Sequence, residues 1–318
     1  MERTLRLTRS RWTRLGLNLG SLVLVAVVLF FTVKHFRHQG WPLHHANVWL
    51  VVAAAGLFLL GYGFKAFGWR RLFPGGERPS ALALAAAGGA AAVTGIALPG
   101  RFDEAVRISV VRRYPGKRAG LGGICLTLVM LGLIDSAALT PLAGVAAGIT
   151  ATSGLLRAGL IVVSVAGVAA ATLVLLMRRI SHARRLGRFR LARWMQTNCC
   201  CPREASKAWA LVSMSWLTRG AALFVLLHAL GLGSPASISL ALAFLCASAA
   251  SAALPIAPAG AATQAGAGAA ILIASGVGSS EAVAFAVSAQ ALAILAGASI
   301  VVAAALWQAG LRLAPARL

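Results

Sequence analysis

Apolar runs of about twenty residues recur along nearly the whole chain, the length that a helix needs to cross roughly 30 Å of hydrocarbon. They cover about Leu17–Val33, Val48–Phe67, Gly120–Ala147, Leu155–Met177, Ala208–Leu230 and Glu281–Trp307. With no water to take up unpaired amides, a lipid-embedded chain of this kind must be helical. Composition agrees. At 59% hydrophobic and 12% charged residues, with a mean hydropathy of +0.83, a soluble domain would expose large apolar patches. The 318 residues leave little room for an appended globular enzyme.

Charge sets the expected topology. The formal charge of +23 comes from 30 Lys and Arg against only 7 acidic residues. The basic residues sit in a few loops between apolar runs, which points to the positive-inside rule and to anionic lipid headgroups, not to nucleic acid. Residues 1–16 form a basic cytoplasmic N-terminus with Arg3, Arg6, Arg9, Arg11 and Arg14, and the run behind them reads as an uncleaved signal anchor. The first membrane half spans 17–177, a basic cytoplasmic loop 178–207, the second half 208–310 and the C-terminal tail 311–318. Both termini are expected in the cytoplasm of a multi-pass protein of the cell (plasma or inner) membrane.

Two further apolar stretches do not fit a simple crossing. Ala81–Leu98 has basic flanks on both sides and stops at Pro99; Ile238–Leu254 stops at Pro255. The first break reads Ala97-Leu98-Pro99-Gly100-Arg101-Phe102-Asp103-Glu104-Ala105-Val106-Arg107, the second Ala253-Leu254-Pro255-Ile256-Ala257-Pro258-Ala259-Gly260. Proline removes a backbone donor and clashes with the preceding turn. Corresponding breaks in two halves are the pattern of inverted-repeat transporters, whose site lies where the broken helices meet. The expected fold is therefore all-α and polytopic: about six full transmembrane helices plus two re-entrant, broken helical hairpins at about 81–114 and 238–275, arranged as an inverted repeat.

The two breaks resemble motifs of a known family. The first is similar to an LPGRxGExxR element and Leu254–Gly260 to an LPISPGG element of the lysylphosphatidylglycerol synthase transmembrane region, a flippase-like membrane domain. The resemblance covers nearly the whole chain, without the aminoacyl-transfer domain of full-length synthases. It implies lipid handling and a substrate site at Pro99, Gly100, Arg101, Glu104, Arg107, Pro255, Pro258 and Gly260. Three positions depart from the family pattern. Asp103 stands where glycine is usual, Gln264 where an acidic residue follows the second motif, and Gln290 where the last helix often carries arginine. Two opposite charges are thus replaced by neutral amides, as though a buried ion pair were exchanged as a unit.

Other polar residues carry chemistry of their own. Asp103 and Arg107 are four apart, the spacing of helical ion-pair partners. Asp135 and Arg219 both fall near the middle of expected spans, where an unpaired charge costs about 3 kcal/mol, so they are candidate partners. His35, His38, His44 and His45 share one loop without an accompanying carboxylate or thiol, and Cys199, Cys200 and Cys201 lack zinc-ligand spacing; no metal and no cofactor are expected. The leading functional expectation is a lipid translocator, not an enzyme, that takes a phospholipid or other polar lipid between the two hairpins. Two alternatives stay open: a membrane enzyme acting on a lipid-linked phosphate or sugar, with Asp103 or Glu104 as base, and a non-transporting partner of an envelope-synthesis complex.

Overall fold

The computed structural model describes residues 46–95, 102–114, 119–149, 154–182, 201–233, 237–252 and 260–313. The expected span at 17–33, the four histidines of the first loop, most of the basic loop at 178–207, and Cys199 and Cys200 lie outside the described residues.

Among the described residues there are only helices: α1 Val48–Leu72, α2 Ala81–Thr94, α3 Phe102–Arg113, α4 Leu121–Ile149, α5 Gly154–His182, α6 Pro202–Ala229, α7 Ser237–Ala252, α8 Gly260–Ala274 and α9 Ser279–Leu313. Local chemistry explains their ends. The Asn47 side chain accepts from the Trp49 and Leu50 amides at the start of α1, and Ser80 caps α2 through the Ala83 amide, each satisfying donors a first turn leaves open. Helices α6 and α8 both end on glycines with positive φ, Gly231 at 77° and Gly276 at 91°. In each the next residue reaches back to close the turn, Leu232 to Leu227 and Val277 to Leu272, a pairing open to few residues but glycine.

Helices α1, α4, α5, α6 and α9 are long and apolar enough to cross a membrane. Between them, α2 has 14 residues, α7 has 16 and α8 has 15. At 1.5 Å per residue these reach about 21–24 Å, short of the roughly 30 Å of a hydrocarbon core. Each proline-interrupted stretch therefore consists of two short helices that pack on one another, α2 with α3 and α7 with α8. Element order repeats as long, short, short, long in α1–α4 and again in α6–α9. Contacts repeat too: α9 packs on α2 as α4 packs on α7, and α1 and α6 pair at the centre.

The central pair is antiparallel. Asn47 meets Ala229 at one end, Gly61 meets Ser215 at the middle, and Gly68 meets Ala208 at the other end. Each step toward the C-terminus of α1 is a step toward the N-terminus of α6, so the two halves have opposite orientation, as the paired breaks predicted. Association in lipid depends on close backbone approach and polar contacts rather than on the hydrophobic effect. A side chain at Gly61 would press on Arg219 Cγ and Thr218 Oγ1, both at 3.2 Å, and one at Gly68 on Val212 Cγ2 at 3.0 Å. The buried Ser215 hydroxyl donates to the Gly61 carbonyl at 2.7 Å. Outer faces are apolar, with Val162, Val165 and Leu175 of α5 and Leu295 and Leu306 of α9 exposed, as a lipid-facing surface requires.

Polar contacts close one end of the bundle. Glu204 in the first turn of α6 accepts from Arg71 at 3.4 Å, Arg78 at 3.1 Å and Lys207 at 3.4 Å. Helix α5 continues to His182 and α6 begins at Pro202, so the basic stretch at 178–207 contributes turns to both, as the good helix propensity of arginine allows.

Helices α2 and α9 cross most closely at Gly89 and Gly297, where a Cβ on Gly89 would collide with the Gly297 backbone. Gly89→Val is expected to lower stability by about 1–3 kcal/mol through overpacking. Gly56→Ala, which meets nothing within 4 Å, is expected to be neutral; thermal unfolding of the two variants in detergent measures the difference.

Candidate functional site

The two helical hairpins touch. The Ala261 amide in the first turn of α8 donates to the Gly95 carbonyl at the end of α2, at 3.4 Å. Within the second hairpin the Ser248 hydroxyl of α7 donates to the Gln264 carbonyl of α8 at 3.0 Å, residues placed about equally far from the break. Residues flanking the two interruptions thus meet, as expected from the sequence. Pro99, Gly100, Arg101, Pro255 and Pro258 lie outside the described residues. Gly260 opens α8 with open space around its Cα. Gln264 and Gln290 are half-buried on α8 and α9, and no hydrogen bond joins their side chains among the described residues.

On α3 the expected helical pair forms: Arg107 Nη2 lies 3.2 Å from Asp103 Oδ2. Glu104 is exposed and has no ion-pair partner among the described residues. The Arg107 Nε atom is buried.

A second polar cluster lies beside it, inside the spans. Lys65 Nζ of α1 forms an ion pair with Asp135 Oδ2 of α4, and the other carboxylate oxygen accepts from Trp216 Nε1 of α6 at 2.9 Å. This replaces the expected pairing of Asp135 with Arg219. The Arg219 guanidinium instead stacks on two rings, 5.2 Å from the centre of Tyr62 and 5.5 Å from that of Trp216. Lys65 Nζ stands 5.7 Å from the same Trp216 ring. The physical reason is shape: a planar, weakly hydrated guanidinium is held well between aromatic faces, whereas a compact ammonium favours a carboxylate. The Tyr62 hydroxyl donates to the Ala293 carbonyl of α9 at 3.3 Å, tying the last helix to the cluster.

Lys65 is close in sequence to Arg70 and Arg71, and by charge alone it reads as part of a basic flank after the apolar run at Val48–Phe67. Helix α1 runs on to Leu72, with Ala66, Trp69 and Leu72 all buried. Those apolar positions beyond Lys65 were the signal that it lies within the helix.

Electrostatically the site is one cation in excess: Lys65, Arg107 and Arg219 against Asp103 and Asp135. Arg107 Nε and Arg219 Nε are buried without a hydrogen-bond partner. A desolvated donor left unpaired costs about 1–3 kcal/mol, so the arrangement is suited to accept an anionic oxygen at those two groups.

Removing the counter-charge of Lys65 tests this account. Asp135→Asn leaves the Lys65 ammonium unpaired and is expected to cost about 2 kcal/mol of stability, a value moderated by the partial exposure of both groups. The double variant Lys65→Met with Asp135→Leu is expected to recover most of that loss. A double-mutant cycle on unfolding in mixed detergent reads the coupling directly.

No curated protein and no solved structure matches the chain. A family model, Lysylphosphatidylglycerol synthase TM region, matches residues 18–300, which takes in both hairpins, the α1–α6 seam and the whole cationic cluster. The chain is a polytopic, all-helical membrane protein and belongs to the lysylphosphatidylglycerol synthase transmembrane-region family.

Proposed function

We propose that this protein moves a polar lipid between the leaflets of the cell membrane, its headgroup passing the place where the two broken hairpins meet. The observation that carries this reading is the net-cationic cluster inside the membrane spans, with two buried guanidinium N–H groups unpaired among the described residues, in a chain whose two hairpins touch through α2 and α8. Charges at membrane depth are costly and belong to functional sites by default. An inverted repeat with interrupted helices supplies the frame in which one half rocks against the other around a fixed site. Membership of a lipid-handling family supports the same reading. The headgroup would sit against Arg107, Arg219 and Lys65, with Pro99, Gly100, Arg101, Pro255, Pro258 and Gly260 bounding its path and Gln264 and Gln290 as neutral neighbours.

The basic residues support cytoplasmic termini. Arg70 and Arg71 in the last turn of α1, Arg78 after it, Arg112 and Arg113 of α3, and Arg203 and Lys207 of α6 gather at the end of the bundle that Glu204 ties together. A positive end of this kind faces the cytoplasm and its anionic headgroups.

Proteoliposomes carrying a trace phospholipid with a fluorescent headgroup test the proposal, with a membrane-impermeant reductant reporting which leaflet holds the dye. Wild-type protein is expected to expose inner-leaflet dye. Arg107→Gln and Arg219→Gln are each expected to slow this about tenfold or more, the loss of one charge-assisted hydrogen bond. Glu77→Gln, in the exposed turn after α1, is expected to leave the rate unchanged. Equal rates in empty and protein-containing vesicles would overturn the translocation reading, and headgroup cleavage without movement would replace it with an enzymatic one.

A further inference from the structure

Beside the cationic cluster, the outer surface carries a groove of about 250 Å³ between α4, α6 and α7. Its walls are Leu142, Phe224 and Leu242, and its mouth is formed by Leu217 and Ile238, which are 50% and 59% exposed. The groove stays open because its floor is made of small residues. Gly220 has only Leu245 Cδ2 at 3.6 Å and Leu242 Cδ2 at 4.0 Å near where a Cβ would stand, and Ala221 and Ala241 lie next to it. Among the described residues, no charged side chain lines it.

Trp216 joins this groove to the polar cluster. Its ring is part of the groove wall, while its indole N–H donates to Asp135 and the charges of Arg219 and Lys65 stand over its face. Arg219 follows Trp216 by three residues, the spacing that puts both on one stretch of helix surface. A molecule with an anionic oxygen bonded to Arg219 therefore has an apolar trough beginning one side chain away. Arginine is the side chain best shaped to hold a phosphate through parallel N–H donors. The matching ligand is a phosphate that carries a hydrocarbon chain. Inorganic phosphate has no use for the trough, and a neutral diacylglycerol has no anion for the guanidinium.

We propose that the groove between α4, α6 and α7 is a binding site for one acyl chain of an anionic phospholipid whose phosphate is held at Arg219. This rests on the lipid-handling reading above and gives it a substrate class and a second contact. Trp216 is then the selectivity element, because its ring orders the chain while its N–H keeps Asp135 turned away from the incoming phosphate.

The test uses the full chain in nanodiscs with trace phosphatidic acid bearing a photoreactive diazirine in one acyl chain, and, in parallel, diacylglycerol with the same chain. Labelled peptides are mapped after illumination. Phosphatidic acid is expected to label 217–224 and 238–242 about tenfold more than diacylglycerol does, the ratio one charge-assisted contact supports. Ala221→Trp, an exposed position at the groove, is expected to abolish that labelling while leaving labels on α5 and α9 in place. Arg219→Gln is expected to reduce phosphatidic acid to the diacylglycerol level. Equal labelling by the two lipids, unchanged in Arg219→Gln, would mean that bulk lipid fills the groove and would overturn the proposal. Headgroup-dependent labelling in a protein that fails to move lipid would sustain this site and sink translocation alone; translocation unaffected by Ala221→Trp, with equal labelling, would sink this site alone.

Discussion

The seam between α1 and α6 is the contact on which the rest of the molecule depends. Hydrocarbon gives two apolar helices no reason to associate with each other over lipid, so the seam must be held by close backbone approach and by hydrogen bonds. Gly61 and Gly68 provide the approach and Ser215 the hydrogen bond. Because the pairing is antiparallel, residues near the middle of one helix face residues near the middle of the other. Tyr62 and Lys65 thereby come beside Trp216 and Arg219. A shift of α1 by one turn along the seam, about 5.4 Å, would take Lys65 away from the Trp216 ring and Tyr62 away from the Arg219 guanidinium.

The charged and aromatic residues at this depth are matched by shape. Lys65 takes the carboxylate of Asp135, Asp135 also accepts from Trp216, and Arg219 is sheathed by rings. A structural ion pair would need only Lys65 and Asp135. Arg107 and Arg219 go beyond that need, and each keeps a buried Nε–H group without a hydrogen-bond partner among the described residues. The same protein handles surface charge differently at its basic end, where one carboxylate, Glu204, holds three cations and no donor has to be desolvated deeply.

Neither α2 nor α8 is long enough to cross hydrocarbon, and they meet through the Gly95 carbonyl and the Ala261 amide. Irregular backbone at membrane depth is tolerated only against protein or water, so the two interruptions are best placed against each other. Helix α9 supports the arrangement through its glycine crossing with α2 and through the Tyr62 hydroxyl.

Much of this was legible in the amino-acid order. Run length and hydropathy determined that the chain lies in a membrane as helices, the basic runs divided it into halves, and Pro99 and Pro255 marked the interruptions in each. The four-residue spacing of Asp103 and Arg107 was enough to pair them, because that contact lies within one turn of helix. Lys65 with Asp135, and Arg219 with the rings of Tyr62 and Trp216, could not be read in the same way. Lys65 with Asp135 and Arg219 with Tyr62 join residues 70 and 157 positions apart, and they are decided by how α1 packs on α4 and α6 and by which cation fits between aromatic faces. Sequence determines which residues can lie in the membrane; only helix packing, through backbone contact at glycines, decides which of their charges meet.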